Sequence, residues 1–252
     1  MKRAFLEKIG GEWLDDFVYM SKQPLLEREF EVIEFDGDDM ENTLLNHNFN
    51  VPGDIIIGSV QATVKFFEAC GISTPHYLGY PLELKPYFGR KISSMYGSDL
   101  KYIKKPFFVK PSYDVKLFTG QVINNEFELN FLKEHYDLND DTEVYVSSVV
   151  DIKSEWRCFV REGNLKGIQY YSGDFTLFPN VSTILTMIDK ITESAPVSYT
   201  LDVGVIGDGN TILVEMNDMW AIGSYGFDSR EYVLMCIRRM YQIFQKSLEV
   251  SK

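Results

Sequence analysis

The sequence predicts an α+β protein in which a small α/β lobe precedes a mainly antiparallel β lobe flanked by helices. Three observations carry this. The first hundred or so residues alternate between strand and helix patterns. Beyond them, short strand patterns are joined by two hairpin turns, Glu162-Gly163-Asn164 and Gly207-Asp208-Gly209-Asn210, which join antiparallel strands. Helical spacing in the second lobe falls between and after the strands instead of once per strand, so the helices flank a sheet and do not wind it doubly.

In chain order, residues 30–35 alternate as a strand and end at the turn Asp36-Gly37-Asp38,. The run DIIIG at 54–58 is a short buried strand,. Ser59 then caps a helix through Cys70, which Gly71 ends, with Pro75 beyond,. Residues 80–100, with Pro81, Pro86, Gly89 and Gly97, read as a connecting segment. Strands follow at 107–110 and 121–124, a helix over 126–136, and strands at 143–150, 155–160 and 165–171. Ile184, Leu185, Ile188 and Ile191 predict a helix over 181–193,. Strands at 198–206 and 211–216 close the lobe, and a helix from Ser229 is capped by Asp228 with Glu231 in capping-box spacing,. The expected division is a domain of residues 1–101 and a domain of residues 102–252.

Composition excludes several function classes. No apolar run approaches the roughly 20 residues of a membrane helix, and the start MKRAFLEKIGGEW lacks a signal-peptide core,; a cytoplasmic protein is expected. The three cysteines, Cys70, Cys158 and Cys236, are odd in number and far apart, so neither a disulfide framework nor a thiolate metal site is indicated,. His47, His76 and His135 lie in unrelated contexts. A net charge of −12 disfavours nucleic acid as a partner,. Against that acidity stands one basic cluster, Lys101, Lys104, Lys105, Lys110 and Lys116, tied to a strand pattern and read as an anion site,.

Within the second lobe, Glu215 and Asn217 are two apart on one strand and share a face, and the hairpin brings Asp202 beside them,. Clustered oxygen ligands suit a hard cation such as Mg²⁺; an exposed polar strand face is the alternative. Lys110 ends the apolar strand FFVKP and Lys116 follows in the loop SYDVKLFTG, two point charges suited to phosphates,. In SEWRCFV, Arg157 shares a face with Glu155; an ion pair between them is one reading, and bidentate contact with a phosphate or carboxylate is the other.

This order of a lysine strand, a β-branched strand, an arginine strand and a D…ExN hairpin resembles the ATP-grasp fold, with two α+β subdomains around an ATP cleft, over residues 102–226. The strings KPSYDVKLFTG, SEWRCFV and VEMNDMWAIGSYG look like a phage and bacterial branch of that superfamily typed by two arginines and a lysine. The resemblance implies ATP and Mg²⁺ as cofactors. Lys110 and Lys116 would hold phosphates, a hinge at Tyr145, Val146, Ser147, Ser148 and Val149 would pair with adenine, and Asp151 would bind ribose. Asp202, Glu215 and Asn217 would be the metal ligands, with Arg157 and Lys116 catalytic and Arg161 or Arg230 available as the second arginine. The segment 111–120 departs from the family in having Gly120 as its one glycine.

The implied activity is ATP-dependent, ADP-forming ligation of a carboxylate to an amine or thiol through an acyl phosphate, the partner being an amino acid, peptide or protein. The alternatives are a non-catalytic ATP-binding or interaction protein that keeps the fold, and a nucleotidyl-transferring ligase with a lysine nucleophile. The loop 111–120 and the segment WAIGSY at 220–225 are expected to cover the site, the aromatics of the latter being equally compatible with a core role.

Overall fold

The computed structural model describes residues 2–39, 42–43, 48–112, 117–136 and 138–250; His47 and Lys116 lie outside the described residues. The N-terminal lobe is built on three parallel strands, β1 (Lys2–Ile9) at the centre, β3 (Phe30–Asp36) and β4 (Ile55–Ile57), with a short β2 (Glu12–Trp13) folded back on the end of β1. Successive β1 residues Ala4, Phe5 and Leu6 are all fully buried, because a parallel sheet covered on both faces needs an apolar run and not an alternation. Helix α1 (Asp16–Leu26) starts at Asp15, whose carboxylate accepts from Phe17 N. Helix α2 (Val60–Ala69) begins and ends as its sequence predicts: Ser59 Oγ accepts from Ala62 N at 3.1 Å, and Gly71 takes φ +69° while Ile72 N returns to Phe67 O at 2.8 Å,.

Two antiparallel sheets follow. The smaller has the order β5 (Ile92–Tyr96), β8 (Glu143–Ser147), β6 (Phe107–Pro111), β7 (Gln121–Ile123) and is backed by α3 (Glu126–His135). Phe107, Val109, Val144 and Val146 point toward Leu129 and Leu132 of that helix. The larger has the order β10 (Asn164–Gly173), β9 (Ile152–Arg161), β11 (Ser198–Ile206), β12 (Thr211–Asp218). Its Trp156, Cys158, Val160, Tyr199, Leu201 and Val203 pack on α4 (Val181–Ile191). Period-2 alternation therefore leaves each sheet a second face, and the two second faces meet across a cleft.

The expected connecting segment 80–100 is corrected. It holds a 3₁₀ turn (Leu82–Tyr87) and strand β5, which pairs with β8 from Ile92↔Ser147 to Tyr96↔Glu143. Its prolines and glycines hide the pattern, so the expected division at residue 101 falls between β5 and the rest of its sheet. The last helix, α5 (Ser229–Val250), is capped by Asp228 Oδ1, which accepts from Glu231 N at 2.9 Å. Glu231 does not complete the box: its carboxylate accepts from Arg161 Nε at 2.7 Å. Met240 and Phe244 of α5 join Phe5, Leu25 and Phe66 in one core, so the chain's last helix closes its first lobe. Among the described residues, no helix is long and apolar enough to cross a membrane.

Candidate functional site

Strand order brings charged residues together that are far apart in sequence. Arg157 of β9 is the register partner of Asp202 on β11, and Asp202 that of Glu215 on β12, so the three lie in one row across the sheet. Asn217 sits on the same face as Glu215. Lys110 of β6 reaches this row from the opposite sheet. The cleft between has a volume of about 1750 Å³ and is lined by Lys110, Ser112, Arg157, Glu215 and Asn217 among others, with Val60 and Val64 of α2 as one wall.

The row is a continuous network. Arg157 grips Asp202 bidentately, Nε to Oδ1 at 2.8 Å and Nη2 to Oδ2 at 2.7 Å, and donates to Gly223 O at 3.1 Å. Both partners are nearly inaccessible, at 5% and 2% exposure. The guanidinium lies 4.6 Å from the Tyr225 ring, which stacks on Tyr171, an arrangement favouring Arg over Lys. Asn217 Nδ2 donates to Glu215 Oε1 at 2.9 Å and to Asp202 Oδ2 at 3.3 Å. Lys110 Nζ is ion-paired with Glu215 Oε2 and donates to Tyr77 Oη at 2.5 Å. Tyr77 Oη in turn donates to Glu215 Oε2 at 2.8 Å.

The electrostatics follow from this pairing. Burial works against the Lys110 ammonium, but the Glu215 carboxylate and Tyr80 together hold the lysine above its ordinary value. Burial likewise opposes the Glu215 charge, and Lys110 outweighs it and holds the carboxyl below its ordinary value. Arg157 is raised because Asp202 overcomes the burial penalty. Burial pushes the Asp202 carboxyl up against the pull of Arg157. The thiols are suppressed: burial pushes Cys70 and Cys236 up to about 12 and raises Cys158 as well.

The structure thus gathers Lys110, Arg157, Glu215 and Asn217 at one cleft, with Asp202 buried beneath, paired with Arg157. Arg157 is paired with Asp202 and not with Glu155, whose carboxylate accepts from Tyr171 Oη at 3.0 Å. Of the hinge, Ser147, Ser148 and Val149 line the cleft, Val146 belongs to the core behind β8, and Tyr145 packs edge-on to Tyr80. Asp151 is exposed and ion-paired with Lys153 at 2.6 Å. Arg161 and Arg230 lie away from the cleft, paired with Glu231 and Glu27. The basic cluster disperses: Lys105 pairs with Glu126 at 2.6 Å and Lys101 lies over Tyr102, leaving Lys110 as its described member in the cleft. Trp220 of WAIGSY packs on Phe67 in the core, whereas Tyr225 is half exposed.

Two cleft residues escaped the sequence reading. Arg90 lines the cleft beside Lys110 and donates to the carbonyls of Phe88, Leu213 and Val214 at 2.9–3.0 Å. Tyr77 lies in the stretch before β5. Neither stands in a strand or helix pattern.

The oxygens present suit a hard divalent cation in part. Glu215 and Asn217 face the cleft with a carboxylate, whose oxygens are shared with Asn217, Lys110 and Tyr77, and a carboxamide; magnesium takes one or two carboxylates together with phosphate oxygens and waters. Both Asp202 oxygens are engaged by Arg157, so Asp202 can serve a cation only while shared with the guanidinium. Among the described residues, no three His, Cys, Asp or Glu side chains form a metal-holding group. Ser112 Oγ, buried where β6 enters the cleft, has no hydrogen-bond partner among the described residues, which fits an oxyanion in its vicinity.

Residues 87–235, more than half of the chain, match the family model described as the ATP-grasp domain, R2K clade family 2. No curated protein matches the sequence. Among solved structures, the chain is similar to the D-alanine–D-alanine ligase from Bacillus anthracis, with a TM-score of 0.56, 12% identity and coverage of 98% of this chain and 100% of that one. It is similar to an ATP-grasp RimK domain protein from Sphaerobacter thermophilus, with a TM-score of 0.56, 15% identity and coverage of 97% and 99%. It is also similar to the N5-carboxyaminoimidazole synthetase from Staphylococcus aureus complexed with ADP, with a TM-score of 0.54, 14% identity and coverage of 95% and 78%. At these identities the likeness is one of fold.

Proposed function

The chain belongs to the ATP-grasp family, R2K clade family 2, and from that premise we propose that it is an ATP-dependent ligase that activates a carboxylate as an acyl phosphate and passes the acyl group to an amine or thiol. The observation that carries this reading is the convergence of Lys110, Arg157, Glu215 and Asn217 from two facing sheets on one cleft. In this reading the adenine lies against the backbone of Ser147–Val149, with Val150 and Ile152 beside it and Asp151 near the ribose. Lys110 would hold phosphate oxygens, with Lys116 as a second phosphate lysine. Magnesium would be held by Glu215 and Asn217, with Asp202 shared between it and Arg157. Bound there, it would neutralise charge on the β- and γ-phosphates.

The chain's own residues then supply positioning and charge. A carboxylate oxygen of the substrate attacks the γ-phosphorus in line, the bond to the β-phosphate oxygen breaks, and ADP leaves. The amine or thiol next attacks the acyl carbon and inorganic phosphate leaves. Arg157, fixed by Asp202, would stabilise the transferring group. The clade's two arginines and one lysine would be Arg157, Arg90 and Lys110, since Arg90 lies in the cleft and Arg161 and Arg230 do not. A lysine nucleophile for nucleotidyl transfer is disfavoured, because Lys110 is held as a charged ammonium by Glu215,. The domain division stays part of the proposal with its boundary moved ahead of β5: a small α/β unit precedes the two ATP-grasp sheets, and Val60 and Val64 of its α2 line the cleft.

The test is chemical. Incubation with Mg-ATP, a panel of carboxylates and hydroxylamine should trap the acyl phosphate as a hydroxamate, with one ADP and one phosphate formed for each. Formation of AMP and pyrophosphate in their place would overturn the mechanism.

A further inference from the structure

The stretch linking α2 to β5 is joined to the strand of Glu215 by a backbone hydrogen bond. Gly79 O accepts from Met216 N at 2.8 Å in an isolated antiparallel bridge, which pins the link to β12, the strand of Glu215. Gly79 takes φ +52°, and a Cβ there would lie 2.8 Å from Tyr77 Cε1. Glycine thus allows the Tyr77 ring to fold back over its own backbone. The fold-back aims the phenol into the cleft, where its oxygen accepts from Lys110 at 2.5 Å and donates to Glu215 at 2.8 Å. The Lys110 ammonium lies between two rings, 5.0 Å from Tyr77 and 5.1 Å from Tyr80,.

We propose that Tyr77 is a positioning residue of the nucleotide site, whose hydroxyl sets Lys110 and Glu215 at a fixed separation across the cleft. A phenol is suited to this task. It donates and accepts through one atom, so it can hold a cation and an anion together, and it adds no charge to repel phosphates. Lys110 stands on the small sheet and Glu215 on the large one, so no strand pairing fixes their spacing. Tyr77 supplies that link from a third element, the one that leads back to the N-terminal lobe.

The inference rests on the Mg-ATP reading of the cleft, and the experiment separates the two. Full-length wild type and Tyr77→Phe are titrated calorimetrically with Mg-ATP, with ATP in chelator and with AMP. The variant keeps the ring, its packing on Gly79 and its face toward Lys110, and loses the hydroxyl. We expect Mg-ATP to bind about tenfold more weakly, the size of a hydrogen bond to a charged group, and AMP, which lacks the β- and γ-phosphates, to change by less than about twofold. Unchanged Mg-ATP affinity, or an equal loss for AMP, would overturn the role. A double-mutant cycle with Lys110→Met gives a second arm: the two losses should fall short of additive, and strict additivity would contradict the linkage. Failure of the wild type to bind Mg-ATP would overturn the reading of the cleft itself, and the role of Tyr77 with it.

Discussion

Glu215→Gln is expected to lower Mg-ATP turnover by at least about a hundredfold and to destabilise the protein by about 3 kcal/mol. The first effect follows from removing the charged oxygen that we propose as a magnesium ligand, facing the cleft beside Asn217. The second follows from Lys110, whose side chain is 12% exposed. Without Glu215, the ammonium stays buried with no opposing carboxylate. ATP lacking magnesium should still bind, because its phosphates replace the lost anion. The pH dependence carries a sign that separates this account from loose packing. Glu215 sits below its ordinary value, so its contribution is complete above the unfolded value of about 4.3 and is lost as pH falls through the folded value. Lys110 sits above its ordinary value, so its contribution is complete below about 10.4 and is lost as pH rises through the folded value. The difference in melting temperature between wild type and variant should therefore be widest between these limits and shrink in acid. A difference that stays constant down to pH about 2 would contradict the pair.

Arg157→Lys should cost about 3 kcal/mol of stability and roughly a hundredfold in turnover, although charge is conserved. Lysine cannot match both Asp202 oxygens while reaching Gly223 O, and it has no planar face for Tyr225. Asp202, 2% exposed, would be left half-satisfied in a buried setting, where the loss is largest. Asp202→Asn should give a loss of similar size from the other side, and the two changes together should cost less than their sum. Urea unfolding measures all three. An Arg157→Lys midpoint equal to wild type would show that the bidentate grip contributes nothing.

Local chemistry made much of this molecule legible. The α+β class, the ends of α2, the β11–β12 hairpin and the shared face of Glu215 and Asn217 all follow from periodicity of two or 3.6 and from caps and turns. Pairings made by strand order were not legible. Glu155 lies on the same strand face as Arg157, yet the guanidinium goes to Asp202, because β11 packs beside β9 after the chain has run through β10 and α4. No local pattern encodes that neighbour. Strand β1 was missed for a related reason: its residues are buried on both faces, so the alternation that marks a half-buried strand is absent,. Arg90 and Tyr77 lie in a stretch punctuated by proline and glycine, and they function through their place beside the cleft instead of through a motif. The lysine cluster shows the converse. Adjacent charges in sequence separate once β6 and its neighbouring turns form, and Lys110 is the described member that faces the cleft.

The central claim is that this cleft binds nucleotide and magnesium together, and thermal melting tests it most directly. The protein is melted alone and with millimolar ATP or a non-hydrolysable analogue, each with Mg²⁺ and with chelator. Binding to the native state alone raises the melting temperature by mass action. The account predicts the largest rise with nucleotide and Mg²⁺ together, and loss of the Mg²⁺-dependent part in Glu215→Gln. An unchanged melting temperature in wild type at millimolar nucleotide with Mg²⁺ would contradict it.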